Sequence, residues 1–599
     1  MRSNRSSSSS SSRSWPSMVV SPTYLLDKII EVLDTMQDDY FQPWLGTWPT
    51  AIDWTAAVMG THVSGGLSTI SRALDLLPGT DRWASMGKEN TVTLFFSQVL
   101  GFYFGQDSFA IRNEAYDDIL WVVLGWLETI QFINLHTSVT SRQALDAMDG
   151  YMGQHGFEKW HGNIWIPAFA HRSRIFWNLA KAGWDSDLCG GGMVWNPRLE
   201  PYKNAITNQL FISASASMHL YFPGDGNRSP FFSDTDTTSP EFLVRPSAQD
   251  VFEPQDPAFL RFAREGYSWL QSSGMMNSKG LYIDGFHISG WADPRSTNKR
   301  CDVRNEQVYT YNQGVILTGQ LNLWKITGNY SYVEDGHRLI RSVIQATGWH
   351  LGEQRPADRG VPRAHGPPHR WKGRRLPRWH GIGRAGVMEE MCDSRGDCSQ
   401  DSQTFKGIFF HHLTTFCGAS LSWSEFVAPQ SETPRHIRTH THACKSYLPW
   451  LEHNRHAMME TRDGAGRVGM WWTAGLLGLN DEMPPDEDFA DMVNPDAVDY
   501  RNGGVPDDPM WRRPTPPIKP PSVPKVPLPG VEKDDRLLAL RESLSNNNEG
   551  GNHKRDLNDR GRGRTVETQG GGLALLRAYW EISDGPGTAR AQATTTGDG

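Results

Sequence analysis

The sequence predicts an all-α fold, on three observations. Apolar side chains recur at i, i+3, i+4 and i+7 in one segment after another. The period-two alternation of half-buried strands is scarce. Short loops containing Gly, Asn and Asp separate the segments, as in helical hairpins. The clearest segment runs over 113–134, with Ile119, Val122, Val123, Trp126, Leu127 and Ile130 on one face. Asn113 is its expected N-cap, which places Tyr116, Asp117 and Asp118 in the first turns at the positive end of the helix dipole.

The other elements follow in order. Residues 1–20, basic and Ser-rich, carry no apolar period and are expected to be disordered. Helical patterns cover 24–34, 48–59, 67–77 and 91–104, then 142–151 and 166–182 beyond the acidic helix. Helices are expected at 203–221 and 257–274, with 223–254 a long loop between them. Another runs from Thr310 to Thr327, closed by Gly328, with an antiparallel partner over 330–347. Residues 352–386 are rich in His, Arg, Pro and Gly and have no period. They read as a basic insertion or as sequence translated out of frame, the second preferred because patterning resumes abruptly at Met388. Helices opening at Thr404 and covering 434–451 and 468–479 come next. Residues 484–565 read as a disordered Pro- and Asn-rich linker, 566–585 as a return to the body through one last helix, and 586–599 as a disordered tail. The body is therefore expected over 21–483 plus 566–585.

The acidic pair is the sharpest chemical signal. Asp118 lies one turn before Val122, so it points toward the apolar stripe, and a carboxylate there is costly unless it is used. Asp117 is its immediate neighbour, about 3.8 Å away at Cα. Two close carboxyl groups do not both ionise easily, so one is an acid while the other is an anion. Glycoside hydrolysis with retention needs such a couple. Acids placed at a helix start because the dipole favours them give the same pair, and the spacing alone leaves both readings open.

Composition narrows the classes. With 599 residues and 38% hydrophobic content the chain can bury a large core, and a net charge of -8 argues against a nucleic-acid partner. No run of 18 apolar residues is present, so no membrane span is expected. The six Cys permit disulfides without proving an oxidising compartment, and Cys392 and Cys398 enclose a short loop that a disulfide would close. His411, His412, His436, His440, His442 and Cys444 match no standard zinc spacing. No metal or cofactor is expected.

Several polar motifs sit at helix openings: Tyr116 with Asp117 and Asp118; Gly190, Gly191 and Gly192 with Trp195; the stretch from Tyr202 to Asn208; Tyr311, Asn312 and Gln313 before Gly314; Phe405, Lys406 and Gly407; and Gly570, Gly571 and Gly572. In this order they resemble glycoside hydrolase family 76, the endo-α-1,6-mannanases and their fungal cell-wall relatives, over most of 20–480 and 565–585. The resemblance implies an (α/α)6 barrel and a retaining glycoside hydrolase acting on α-1,6-linked mannose polysaccharide. Asp117 is the implied nucleophile and Asp118 the implied general acid/base. Tyr116, Trp195, Lys203, Asn204, Tyr311, Asn312, Gln313 and Lys406 are the implied substrate-binding residues. Asn204, Tyr311, Asn312 and Gln313 offer neutral hydrogen-bonding groups suited to sugar hydroxyls, although ordinary helix capping competes for each of them. A cell-wall transglycosidase and a non-catalytic carbohydrate-binding scaffold are the alternatives. The resemblance also implies an extracellular or cell-wall monomer, whereas no export signal is visible in residues 1–20.

Overall fold

A helix whose every side is apolar or small has to be surrounded, whereas one with a single apolar stripe belongs at the edge of a fold. The computed structural model sorts the helices in this way. It describes residues 22–74, 82–147, 160–226, 253–362, 371, 373, 375–418, 421–479, 484–486, 496–502 and 556–583. The helices are α1 (Pro22–Tyr40), α2 (Asp53–Leu74), α3 (Arg82–Gly105), α4 (Ser108–Ile111), α5 (Tyr116–Ala147) and α6 (Ile166–Lys181). They continue as α7 (Ala205–Tyr221), α8 (Pro257–Ser272), α9 (Val315–Thr327), α10 (Ser331–Ala346) and α11 (Gln400–Cys417). The last are α12 (Thr433–Lys445), α13 (Leu448–Met459), α14 (Trp472–Leu477) and α15 (Val566–Ile582).

Helices α2, α5, α7, α9, α11 and α15 are the ones buried on nearly every side. Each packs on the next in that order, and α15 packs back on α2, so the ring closes. The outer layer covers it: α3 lies on α2, α6 on α5, α8 on α7, α10 on α9, α12 on α11, α13 on α15, and α1 across α15 and α2. The outer helices are one-sided, as in α10, where Val333, Gly336, His337, Ile340, Val343 and Ile344 face inward. This is the (α/α)6 barrel that the motifs imply.

Strands are short and serve the rim. β1 (Lys203–Asn204), β2 (Gly285–His287) and β3 (Val303–Asn305) make one antiparallel sheet in that order, with Lys203 opposite Phe286 and Gly285 opposite Asn305. β4 (Trp349–His350) pairs with β5 (Arg355–Pro356), and β6 (Gly383–Arg384) with β7 (Val387–Met388). Three disulfides, Cys189–Cys301, Cys392–Cys398 and Cys417–Cys444, use every cysteine of the chain.

Several elements differ from the sequence expectation. The patterns at 48–59 and 67–77 are one helix, α2, because Gly65 and Gly66 dilute the stripe without breaking it. A Cβ on Gly65 would come within 2.2 Å of the Arg577 guanidinium from α15. Conversely, 434–451 holds two helices, α12 and the start of α13, with Pro449 in the first turn of α13. Residues 352–386 are no loose insertion where described. Ile382 and Gly386 donate backbone hydrogen bonds to Ala346 and Thr347 at 3.0 and 2.8 Å. Arg384 is buried between Glu389 and Asp486, each at 3.0 Å. Within 484–565, residues 484–486, 496–502 and 556–565 also join the body. Polar contacts and isolated apolar anchors such as Leu376, Ile382 and Leu557, rather than a periodic stripe, hold these segments, so no periodicity announces them. The segments 1–20 and 586–599, most of the expected loop over 223–254, and the rest of 484–565 lie outside the described residues.

Among the described residues one stretch, Tyr116–Ser141 of α5, is long and apolar enough by composition to cross a membrane. It is a stave of the barrel, 72% buried inside the protein. Glu128 and scattered polar groups interrupt every strictly apolar run within it.

The glycine motif at 570–572 is explained by packing. A Cβ on Gly407 of α11 would lie 2.9 Å from the Gly571 Cα of α15, so the two staves touch through backbone. Gly407→Ala is therefore expected to lower stability by about 1–3 kcal/mol. Gly87→Ala in α3, where a Cβ meets nothing within 4 Å, should be neutral or gain up to about 1 kcal/mol from helix propensity. Urea midpoints of the two variants check the opposite signs.

Candidate active site

The six inner staves bring their N-terminal ends to one end of the barrel. Trp54 at the start of α2 donates its indole N–H to Asp401 at the start of α11, at 3.2 Å. Gln400 and Thr55 both donate to Glu567 at the start of α15, at 2.7 and 3.0 Å. Gln209 of α7 donates to the Asn312 carbonyl before α9, at 2.8 Å. Converging positive helix ends favour buried carboxylates here. Asp117, Asp284 and Asp401 gather here.

Asp117 and Asp118 open α5. The expected N-cap moves: α5 starts at Tyr116, and exposed Asn113 donates its side-chain amide back to Phe109 at 3.1 Å. The start is set instead by the Tyr116 backbone N–H, which donates to the Trp195 carbonyl at 2.9 Å. Asp118 reaches back to accept the Ala115 N–H at 3.3 Å. The two carboxylates are buried in the reverse order of the expectation: Asp117 is 4% exposed, while Asp118 is half-buried. Asp117 lies one turn before Leu120 and Trp121, which are buried as fully as the predicted stripe, so it is Asp117 that turns inward. Burial pushes the Asp117 carboxyl up to about 6, opposed by the Arg501 guanidinium. Burial and then the neighbouring Asp117 charge push Asp118 well above the usual carboxylate range.

Trp195 is placed by the glycine loop, and the other motif residues build that loop. Gly192 has φ of +86°, and a Cβ on it would lie 2.7 Å from the Trp269 ring, so only glycine fits. Lys203 is buried and donates to the carbonyls of Asp185 and Gly192 at 3.0 and 2.6 Å, and burial lowers its ammonium to about 8. Asn208 clamps Met193, accepting its N–H at 2.7 Å and donating to its carbonyl at 3.1 Å. The Cys189–Cys301 disulfide fastens the loop's other side. Lys203 thus ties the loop's backbone together, with the Asp185 carboxylate 3.9 Å from its ammonium.

The remaining expected residues divide in the same way. Tyr311 is buried, stacks on Phe405 with centroids 3.8 Å apart, and its hydroxyl has no partner. Asn312 donates to Asp284 at 3.4 Å and leaves its side-chain oxygen unpartnered. Asn204 caps α7 through Thr207, and its side-chain nitrogen is also unpartnered. Tyr116 is half-buried against Gly183. Gln313 and Lys406, by contrast, spend their polar groups on contacts within the protein. Gln313 binds both the N–H and the carbonyl of Tyr282, at 2.8 and 2.9 Å. Lys406 is buried against Asp393 and the Met470 carbonyl.

The sequence reading missed Arg501, Asp284 and Asp401. Arg501 lies 3.6 Å from Asp117 and its guanidinium covers the Trp195 ring at 5.2 Å. Asp284 accepts the Tyr202 hydroxyl at 2.6 Å. Only the Tyr202 motif beside it gave any signal. The histidine cluster holds no thiol, because Cys444 is bonded to Cys417; His440 pairs with His337 at 2.9 Å and with the Phe416 carbonyl at 2.8 Å.

Comparison with known proteins agrees with the motifs. Residues 252–350 match the family model of glycosyl hydrolase family 76. A mannan endo-1,6-alpha-mannosidase DCW1 of Candida glabrata is 23% identical over 181 residues, 29% of this chain and 32% of that protein. Its namesake in Saccharomyces cerevisiae is 23% identical over 168 residues, 27% of this chain and 28% of that one. The chain thus matches about a third of the length of these curated relatives. Among solved structures, the GH76A alpha-1,6-mannanase from Salegentibacter sp. HEL1_6 aligns with 93% of this chain and 99% of its own, at 13% identity and a TM-score of 0.44. Dfg5 from Chaetomium thermophilum, in complex with glucosamine, aligns with 76% of this chain and 84% of its own, at 14% identity and a TM-score of 0.43. By the family match over 252–350 and the two curated relatives, the chain is related to glycosyl hydrolase family 76.

Proposed function

We propose that the chain is a retaining glycoside hydrolase that cleaves α-1,6-mannosidic linkages of mannan within the chain. The observation that carries this is the pair at the start of α5, two adjacent carboxyl groups held at different proton affinities where the stave N-termini meet. In the first step an Asp117 oxygen attacks the anomeric carbon, the glycosidic bond breaks, and Asp118 gives its proton to the leaving oxygen. Asp118 then takes a proton from water as that water attacks the same carbon and frees Asp117. Unpartnered polar groups on Asn204, Tyr311 and Asn312 are suited to the hydroxyls of the bound sugar, and Tyr116 and Trp195 to its ring faces.

Three disulfides favour an oxidising compartment, which supports action outside the cell or in its wall. A sugar acceptor in place of water would turn the same intermediate to transglycosylation.

Incubation with linear α-1,6-mannan, followed by reducing-end and chromatographic analysis, tests the reading. Internal cleavage to short oligosaccharides is expected, and saccharide binding without any product would exclude a hydrolase. The pH profile should be bell-shaped. Asp117 must be ionised, so activity rises as pH climbs through about 6. It falls again at higher pH, where Asp118 loses its proton. A profile flat across pH 5 to 7 would contradict the assignment of Asp117.

A further inference from the structure

Residues 496–502 cross the carboxylate end of the barrel on polar contacts. Asn305 accepts the Val498 N–H at 2.8 Å and donates to its carbonyl at 3.0 Å. The Glu306 N–H donates to the Asp496 carbonyl at 3.0 Å. Tyr309 donates its hydroxyl to Asp499 at 2.7 Å, and Asn502 accepts the Ser399 N–H at 2.6 Å. The segment's two large apolar groups, Val498 and Tyr500, stay 47% and 49% exposed, so apolar burial does not explain why the segment docks. What it delivers is Arg501, whose side chain is 18% accessible and lies 3.6 Å from Asp117.

We propose that Arg501 is a positioning residue of the carboxylate pair: laid on Asp117 by this segment, its guanidinium makes Asp117, and not Asp118, the anion. The inference rests on the retaining reading above, because it explains how two adjacent aspartates take different roles. Arg501 is the cation that Asp117, Asp118, Asp284 and Asp401 share. Its ion-pair contact falls on Asp117, while Asp118 holds only a backbone N–H from Ala115. The other groups facing the pair do not supply positive charge. Glu114 and Asp401 add negative charge beside Asp118, and Tyr311 stays neutral through burial. Asp284 is occupied by Tyr202 and Asn312. The Trp195 ring supports the guanidinium from one side at 5.2 Å.

The test compares Arg501→Gln and Arg501→Lys with the native chain carrying 13C-labelled Asp carboxyls. The pair's lower midpoint is read by NMR and assigned by the signals lost in Asp117→Asn. In Arg501→Gln this midpoint is expected to rise by about 1 to 3 pH units, the usual effect of one opposite charge at this range. Arg501→Lys should restore most of the difference, and the acidic limb of kcat/KM on mannan should move with it. A midpoint that stays within a few tenths of a unit in folded Arg501→Gln would overturn the proposal. So would a variant more active than the native chain at every pH, which would make the segment a plug. The titration needs no turnover, so a native chain that cleaves no mannan would refute the functional reading while the NMR shift still decides the role of Arg501. If Arg501→Gln does not fold, Arg501→Met carries the same criterion: a midpoint raised by about 1 to 3 pH units upholds the proposal, and one within a few tenths of a unit of the native value refutes it.

Discussion

Asp117→Asn and Asp118→Asn are each expected to lower turnover on α-1,6-mannan by roughly three to four orders of magnitude, with the fold intact. Each change removes a reacting oxygen and keeps the side chain's volume, so far-ultraviolet circular dichroism should be unchanged. The two variants should then separate on a substrate whose leaving group needs no protonation. Asp118→Asn still has its nucleophile and should accumulate a glycosyl-enzyme, visible by intact mass. Asp117→Asn should not. Activity retained in both variants, or an adduct in Asp117→Asn, would refute the assigned roles.

The second large effect is structural. A chain ending at Arg564 lacks α15, the stave that closes the ring between α11 and α2. Leu573, Leu575, Leu576 and Trp580 are each at most 1% exposed in the intact barrel. At about 1.5–3 kcal/mol per buried side chain of this size, these four contribute about 6–12 kcal/mol. That is comparable to the whole stability of an ordinary domain, about 5–15 kcal/mol. The truncated chain is expected to aggregate or to lack a cooperative unfolding transition. A soluble, monomeric and active protein ending at 564 would show that the ring closes without its sixth stave.

The outer helices were the most legible part of the sequence. In α8 and α10 the buried residues recur at helical spacing because only one face meets the core. The inner staves were harder to read, since a helix surrounded on all sides has no polar face to mark its period. That is why α2 read as two helices. At the site, the Asp117 and Asp118 pair was visible because an acid beside an apolar stripe is a local anomaly. The roles of Lys203, Gln313 and Lys406 were not, because a buried polar side chain looks the same in sequence whether it faces a ligand or ties two loops together. Arg501 gave no signal at all. Its segment docks through Asn305, Tyr309 and Ser399, partners about 100 to 200 positions away, and hydrophobic patterning carries no record of such contacts.

The order of the staves has a consequence for how the protein is made. Five are synthesised by the end of α11 at Cys417, and the sixth ends at Ile582. At translation rates of about 5–20 residues per second, the intervening chain takes roughly ten to thirty seconds to emerge. Throughout that interval α2 and α11 present the flanks that α15 will cover, so the nascent chain passes through an open, sticky arc before it becomes a ring. Holdase chaperones have their longest access to this protein there, late in synthesis. Glu567, which joins the starts of α2 and α11, arrives only at the end.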